Sequence, residues 1–163
     1  MEYRKTDLLL ILVMSFIAIS FLALMDSSLS NHYLIASFGA TGVLIFAVPK
    51  SPFSRPKNVF LGHLISAFIG MCIVIIFEHL GWFDSYHWIA CGLAASLAIV
   101  AMMVTDTIHP PGGATALAFV ISGYDSIIDL FLPILFGVAV MMCFAYVCRR
   151  AEDHVNRDKK EGH

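Results

Sequence analysis

All ten lysines and arginines of this chain fall in three short places: Arg4 and Lys5; Lys50, Arg55 and Lys57; and the stretch 149–160. Between them lie long uncharged apolar runs, and this spacing constrains the fold more than any other feature. A hydrocarbon core roughly 30 Å thick needs about 20 helical residues per crossing. Four runs are close to that length: 8–25, 59–77, 88–105 and 131–148. Apolar residues are continuous within them instead of alternating, which argues against a transmembrane β-barrel. With 13% charged residues and a mean hydropathy of +0.82, the chain lacks the charged skin of a soluble domain. A net charge of −2 presents no basic face, so nucleic acid is not an expected partner. The predicted fold is a single all-α, polytopic membrane domain over 1–163.

Two apolar segments are shorter: 33–48, closed by Pro49, and 112–122, opened by His109-Pro110-Pro111. Lysine and arginine favour the cytoplasmic side, which places the N-terminus, the 50–57 loop and the 149–163 tail inside. The loops 26–32, 78–87 and 123–129 carry no lysine or arginine but do carry Asp26, Glu78, Asp84, Asp125 and Asp129, and are predicted to lie outside. The pattern holds only if both short segments cross, which predicts six crossings with both termini cytoplasmic, in a cell (inner) membrane. Tyr33, Trp82, Tyr86 and Trp88 then sit at the outer boundary, where interfacial aromatics concentrate. The first run leads into no small-x-small cleavage site and reads as a span, not a signal peptide. Cys72, Cys91, Cys143 and Cys148 lie within apolar runs, where a thiol behaves as a small hydrophobe. Neither a metal site nor a cofactor is expected.

The triplet Gly39-Ala40-Thr41 recurs as Gly113-Ala114-Thr115, 74 residues later. Each copy lies in a short segment flanked by full spans, so the chain divides into two three-segment units, about 1–80 and 81–163. A three-crossing unit reverses the chain direction, so the two units are predicted to be inverted repeats, the middle segment of each short and broken. Eleven helical residues reach only about 16 Å, half of the core. The stretches leading to the two half-helices, 31–37 and 106–111, would enter the membrane as irregular chain, which is tolerated only inside protein or beside a water-lined cavity.

Helix N-termini carry unpaired N–H groups and partial positive charge, so two of them facing each other at mid-membrane suit a small anion. The candidate binding residues are Ser37, Phe38, Gly39, Ala40 and Thr41 in the first unit, and His109, Pro110, Pro111, Gly112, Gly113, Ala114 and Thr115 in the second. Glycine permits close approach to the backbone, the threonines donate hydroxyl hydrogen bonds, and Pro111 suits a helix start. His109, His63 and Asp106 are candidates for gating or proton handling. Plainer roles stand beside these. Gly-Ala-Thr is also what close helix packing uses, His63 suits an interfacial hydrogen bond, and Asp106 suits a cap.

The run Asp106-Thr107-Ile108-His109-Pro110-Pro111-Gly112-Gly113-Ala114 resembles the signature of the HPP family of integral membrane proteins. Ser37 to Leu44, Pro49-Lys50-Ser51-Pro52, Arg55-Pro56-Lys57-Asn58 and Gly62-His63 extend the similarity over nearly the whole chain. The family is commonly described with four spans, a count that omits the two short segments. The resemblance implies transport of nitrite or a similar small anion. The resulting expectation is a non-enzymatic anion carrier, most simply a two-fold homodimer. A channel of the same architecture, a structural subunit and a haem-binding electron-transfer protein are the alternatives.

Overall fold

The computed structural model describes residues 4–29, 36–128 and 132–161, and every regular element among them is helical. Four helices are long and apolar enough to cross a membrane. They are α1 (Lys5–Leu29), α3 (Pro56–His79), α4 (His87–Val104) and α6 (Val138–Glu161), the last led in by a π-helical turn, Leu132–Gly137. The two short segments are α2 (Ser37–Gly42), which runs on into a π-helical turn Val43–Ala47, and α5 (Pro111–Ser122). Of the irregular entry expected over 31–37, residues 31–35 lie outside the described residues, as do Tyr33 and Asp129. Ser37, expected to be irregular, is already the first helical residue of α2.

The helix ends follow from local chemistry. Pro56 and Pro111 stand at first-turn positions, where a missing N–H costs nothing. α3 and α5 stop at Gly81 and Gly123, both left-handed, and the next residue's N–H reaches back: Trp82 to the Phe77 carbonyl and Tyr124 to that of Phe119. α4 ends the same way without a glycine. Asp106 takes φ 52°, and the Thr107 N–H bonds the Met102 carbonyl at 2.9 Å.

α3 is the central helix, packed on α4 and most extensively on α5, while α1 packs on α6 and α2 touches both α1 and α5. Small residues set these contacts. Gly62, Ser66 and Gly70 form one stripe of α3, and a β-carbon at Gly70 would stand 2.7 Å from the Phe119 β-carbon and 2.8 Å from the Ala116 carbonyl oxygen. From the other side, a β-carbon at Gly112 would meet the Met102 sulfur, the Ser66 hydroxyl and the Gly62 carbonyl, all within 2.9 Å. α4 adds Ala90, Ala94 and Ala98, one per turn and all fully buried. Without a hydrophobic drive between helices in lipid, this close approach is what holds α3, α4 and α5 together. α1 differs: Leu9, Leu12 and Phe16 are each more than 60% exposed on its outer face.

Candidate functional site

The N-terminal turns of α2 and α5 pass each other antiparallel beside the N-terminal half of α3. Ser37, at the start of α2, lies beside Thr115 in the second turn of α5, with the hydroxyl oxygens 2.8 Å apart. Thr41, one turn further along α2, faces His109, just ahead of α5, at 3.1 Å. The half-helices therefore overlap by about one turn instead of meeting tip to tip.

His63 of α3 fills the space between them. Its Nε2 is 2.8 Å from the Thr41 hydroxyl and its Nδ1 is 2.7 Å from that of Thr115, so the imidazole joins the two Gly-Ala-Thr segments directly. His109 Nδ1 is 2.9 Å from the Phe53 carbonyl oxygen. The two imidazoles contact edge to face with centroids 4.9 Å apart, and the Phe38 ring meets His63 edge-on at 5.3 Å. That contact leaves no slot for a planar cofactor between the histidines. Ser37, Thr41, His63, His109 and Thr115 are all buried, and no carboxylate hydrogen-bonds to any of them among the described residues. The core therefore holds hydroxyls and imidazoles, groups that donate readily to an anion.

Several other expected residues stand apart from this cluster. Ala40, Ala114 and Pro110 are exposed, and Gly39 lines an apolar groove with Ile11, Phe16 and Ile19 of α1. Pro110 and Pro111 have no N–H, and the Gly112 and Gly113 amides donate to the His109 and Pro110 carbonyls at 2.8 and 3.2 Å. The start of α5 thus directs the Thr115 hydroxyl and the His109 imidazole just ahead of it, not backbone amides, toward the cluster. Gly112 acts through close packing on α3. Asp106 is at the surface, 3.7 Å from the Lys57 ammonium, and ends α4 instead of touching the histidines.

Other residues at the site had no role there expected from the sequence. The Phe53 carbonyl orients His109, and Gly62 is glycine because a β-carbon there would stand 2.6 Å from that of His109. The Asn58 amide holds the irregular chain ahead of α5 by donating to the Ile108 carbonyl at 3.0 Å. The Ser54 hydroxyl lies 2.8 and 2.9 Å from the Leu44 and Val48 carbonyls at the end of the π-helical turn, which also accept from the Val48 and Ser51 amides, and Arg149 reaches the Ile45 carbonyl. A short helix ending inside protein needs such partners.

Comparison with known proteins gives a consistent result. The family model for the HPP transmembrane region matches residues 2–158. A transmembrane protein of Dictyostelium discoideum is 41% identical over 82% of this chain and 44% of its own length. A second from the same organism is 42% identical over 70% of this chain and 40% of its own. The chain thus spans less than half the length of either relative. No solved structure matches.

Proposed function

Because the chain belongs to the HPP family of transmembrane proteins, we propose that its buried cluster is the substrate site of a transporter for a small monovalent anion such as nitrite. The observation that carries this reading is a donor-rich cluster, with no carboxylate bonded to it among the described residues, where two short helices cross beside a full span. Ionisable side chains inside a membrane domain are costly to keep and mark transport pathways. Broken helices at the centre of such a domain are where transporters bind their cargo. An entering anion takes the hydroxyl hydrogens of Ser37, Thr41 and Thr115, while a protonated histidine supplies a further N–H donor and neutralises its charge.

The architecture that fits this use is two inverted units of three segments, about 1–80 and 81–163, with the middle segment of each interrupted. Supporting it, α3 packs on α4 as α6 packs on α1, and α2 meets α5 at the centre. In this reading the termini and the 50–57 loop are cytoplasmic in a cell membrane, and the exposed face of α1 is covered by lipid or by a second copy in a homodimer. Sidedness is testable in a variant without the four native cysteines. Single cysteines at Lys50 and Asp125, both exposed and separated by α3, α4 and the short α5, are expected to react with an impermeant maleimide from opposite sides. Reaction from one side only would remove the six-crossing arrangement.

Transport itself is tested with purified protein in liposomes offered nitrite, nitrate, formate, bicarbonate or chloride. Nitrite uptake above that of protein-free vesicles, reduced by the other small anions according to their size, is the expected result. Nitrite uptake equal to that of empty vesicles would overturn the assignment.

A further inference from the structure

The five buried side chains form one continuous hydrogen-bonded file, and one end fixes its direction. A carbonyl can only accept, so His109 Nδ1 carries the hydrogen shared with Phe53 at 2.9 Å. A neutral His109 then has a bare Nε2, which accepts from Thr41 at 3.1 Å. With its hydrogen committed, the Thr41 oxygen accepts from His63 Nε2–H at 2.8 Å. The bare His63 Nδ1 accepts from Thr115 at 2.7 Å, and Thr115 accepts from Ser37 at 2.8 Å. Each link satisfies the donor and acceptor capacities of its groups, and the two histidines hold opposite tautomers.

Both threonines also have a second place for their hydrogen. Thr41 lies 3.2 Å from the Ser37 carbonyl and Thr115 lies 3.2 Å from the Pro111 carbonyl, each one helical turn back. When a histidine takes an extra proton and donates from both nitrogens, its threonine turns onto that carbonyl and becomes an acceptor. The cluster thus accommodates a proton without moving a heavy atom. The charged groups on the neighbouring elements, Lys57 on α3 and Asp106 ahead of His109, pair with each other at the exposed rim, 3.7 Å apart.

We infer that Ser37, Thr115, His63, Thr41 and His109 form a proton relay through the centre of the protein, leading to the 50–57 loop, and that this relay supplies the proton accompanying the anion. The second part rests on the transport reading above; the first does not. The shift is balanced. A proton from water or from the acid form of the anion joins the Ser37 oxygen, whose own hydrogen passes to Thr115. The hydrogen of Thr115 passes to His63 Nδ1, and that of His63 Nε2 passes to Thr41. The Thr41 hydrogen passes to His109 Nε2, and His109 releases its Nδ1 hydrogen to water as the Phe53 carbonyl lets go. One proton enters and one leaves. The bare Nδ1 left against the Phe53 carbonyl repels it, and this favours return of the original tautomers.

Two measurements on the whole protein test the relay. In 15N-histidine spectra at a pH where both imidazoles are neutral, His63 is expected to be protonated at Nε2 and His109 at Nδ1. The same tautomer at both would overturn the file. In liposomes enclosing a pH dye, nitrite uptake is expected to acidify the lumen by one proton per anion, indifferent to a potential set with valinomycin. Thr41→Val should lower that coupled flux at least about tenfold, and Thr41→Ser should restore it. Nitrite uptake that follows the potential without acidification would sink the relay and leave transport standing. Potential-driven proton flux without nitrite uptake, lost in Thr41→Val, would uphold the relay and remove the anion.

Discussion

Replacing Gly70 with alanine is expected to leave little folded protein after extraction into detergent. The added carbon would stand 2.7 Å from the Phe119 β-carbon, 2.8 Å from the Ala116 carbonyl oxygen and 3.3 Å from the Ala116 α-carbon. Two of those three atoms are backbone, so no rotamer change relieves the clash and α5 must move away from α3. Overpacking of this kind costs about 1–3 kcal/mol, and the rigid neighbours place Gly70 at the upper end. The same displacement would pull Thr115 away from His63. Gly92→Ala is the comparison, because a β-carbon added there would have nothing within 4 Å, and the gain in helix propensity is up to about 1 kcal/mol. Thermal unfolding followed by gel filtration separates the two. A Gly70→Ala protein as stable as Gly92→Ala would show that α3 and α5 do not approach this closely.

His63→Gln is expected to abolish nitrite uptake while retaining a folded protein. His63 bonds both Gly-Ala-Thr segments, through opposite edges of one ring. A glutamine amide can still donate at one end and accept at the other, which limits the cost of orphaned hydroxyls. It cannot gain a proton, however, and so cannot neutralise an anion in the membrane interior. Loss of a positioned proton carrier lowers a rate by about a hundredfold or more. The check is the initial rate of nitrite uptake per unit of monodisperse protein. A rate within a few-fold of wild type would make His63 a packing residue and move the substrate site elsewhere.

The long spans were legible because crossing a bilayer leaves a local mark, a run of apolar residues with charge at its ends. The break at 105–110 was legible for the same local reason, with two prolines and no means of continuing α4. The Gly-Ala-Thr pair also marked two residues that the fold brings together, since Thr41 and Thr115 converge on His63. What the chain hid is reciprocal. Nothing near position 53 reveals that its carbonyl orients a histidine 56 residues away, or that Ser54 bonds the Leu44 and Val48 carbonyls at the end of the π-helical turn. Two expected roles went to other groups because the backbone had prior demands. The Gly112 and Gly113 amides close the first turn of α5, and Asp106 is held at the end of α4 by its left-handed conformation.

The glycine stripe between α3 and α5 has a mechanical corollary. At Gly70 and Gly112 no flexible side chain separates the backbones of α3 and α5 to absorb sliding, so these two helices resist moving apart or past each other. On the transport reading, rocking that opens the centre first to one side and then to the other would be taken up by α1 and α6, which pack on each other away from that seam. α2 touches both α1 and α5, and its Thr41 bonds both histidines, so a movement of α1 and α6 would reach the imidazoles through that one hydroxyl.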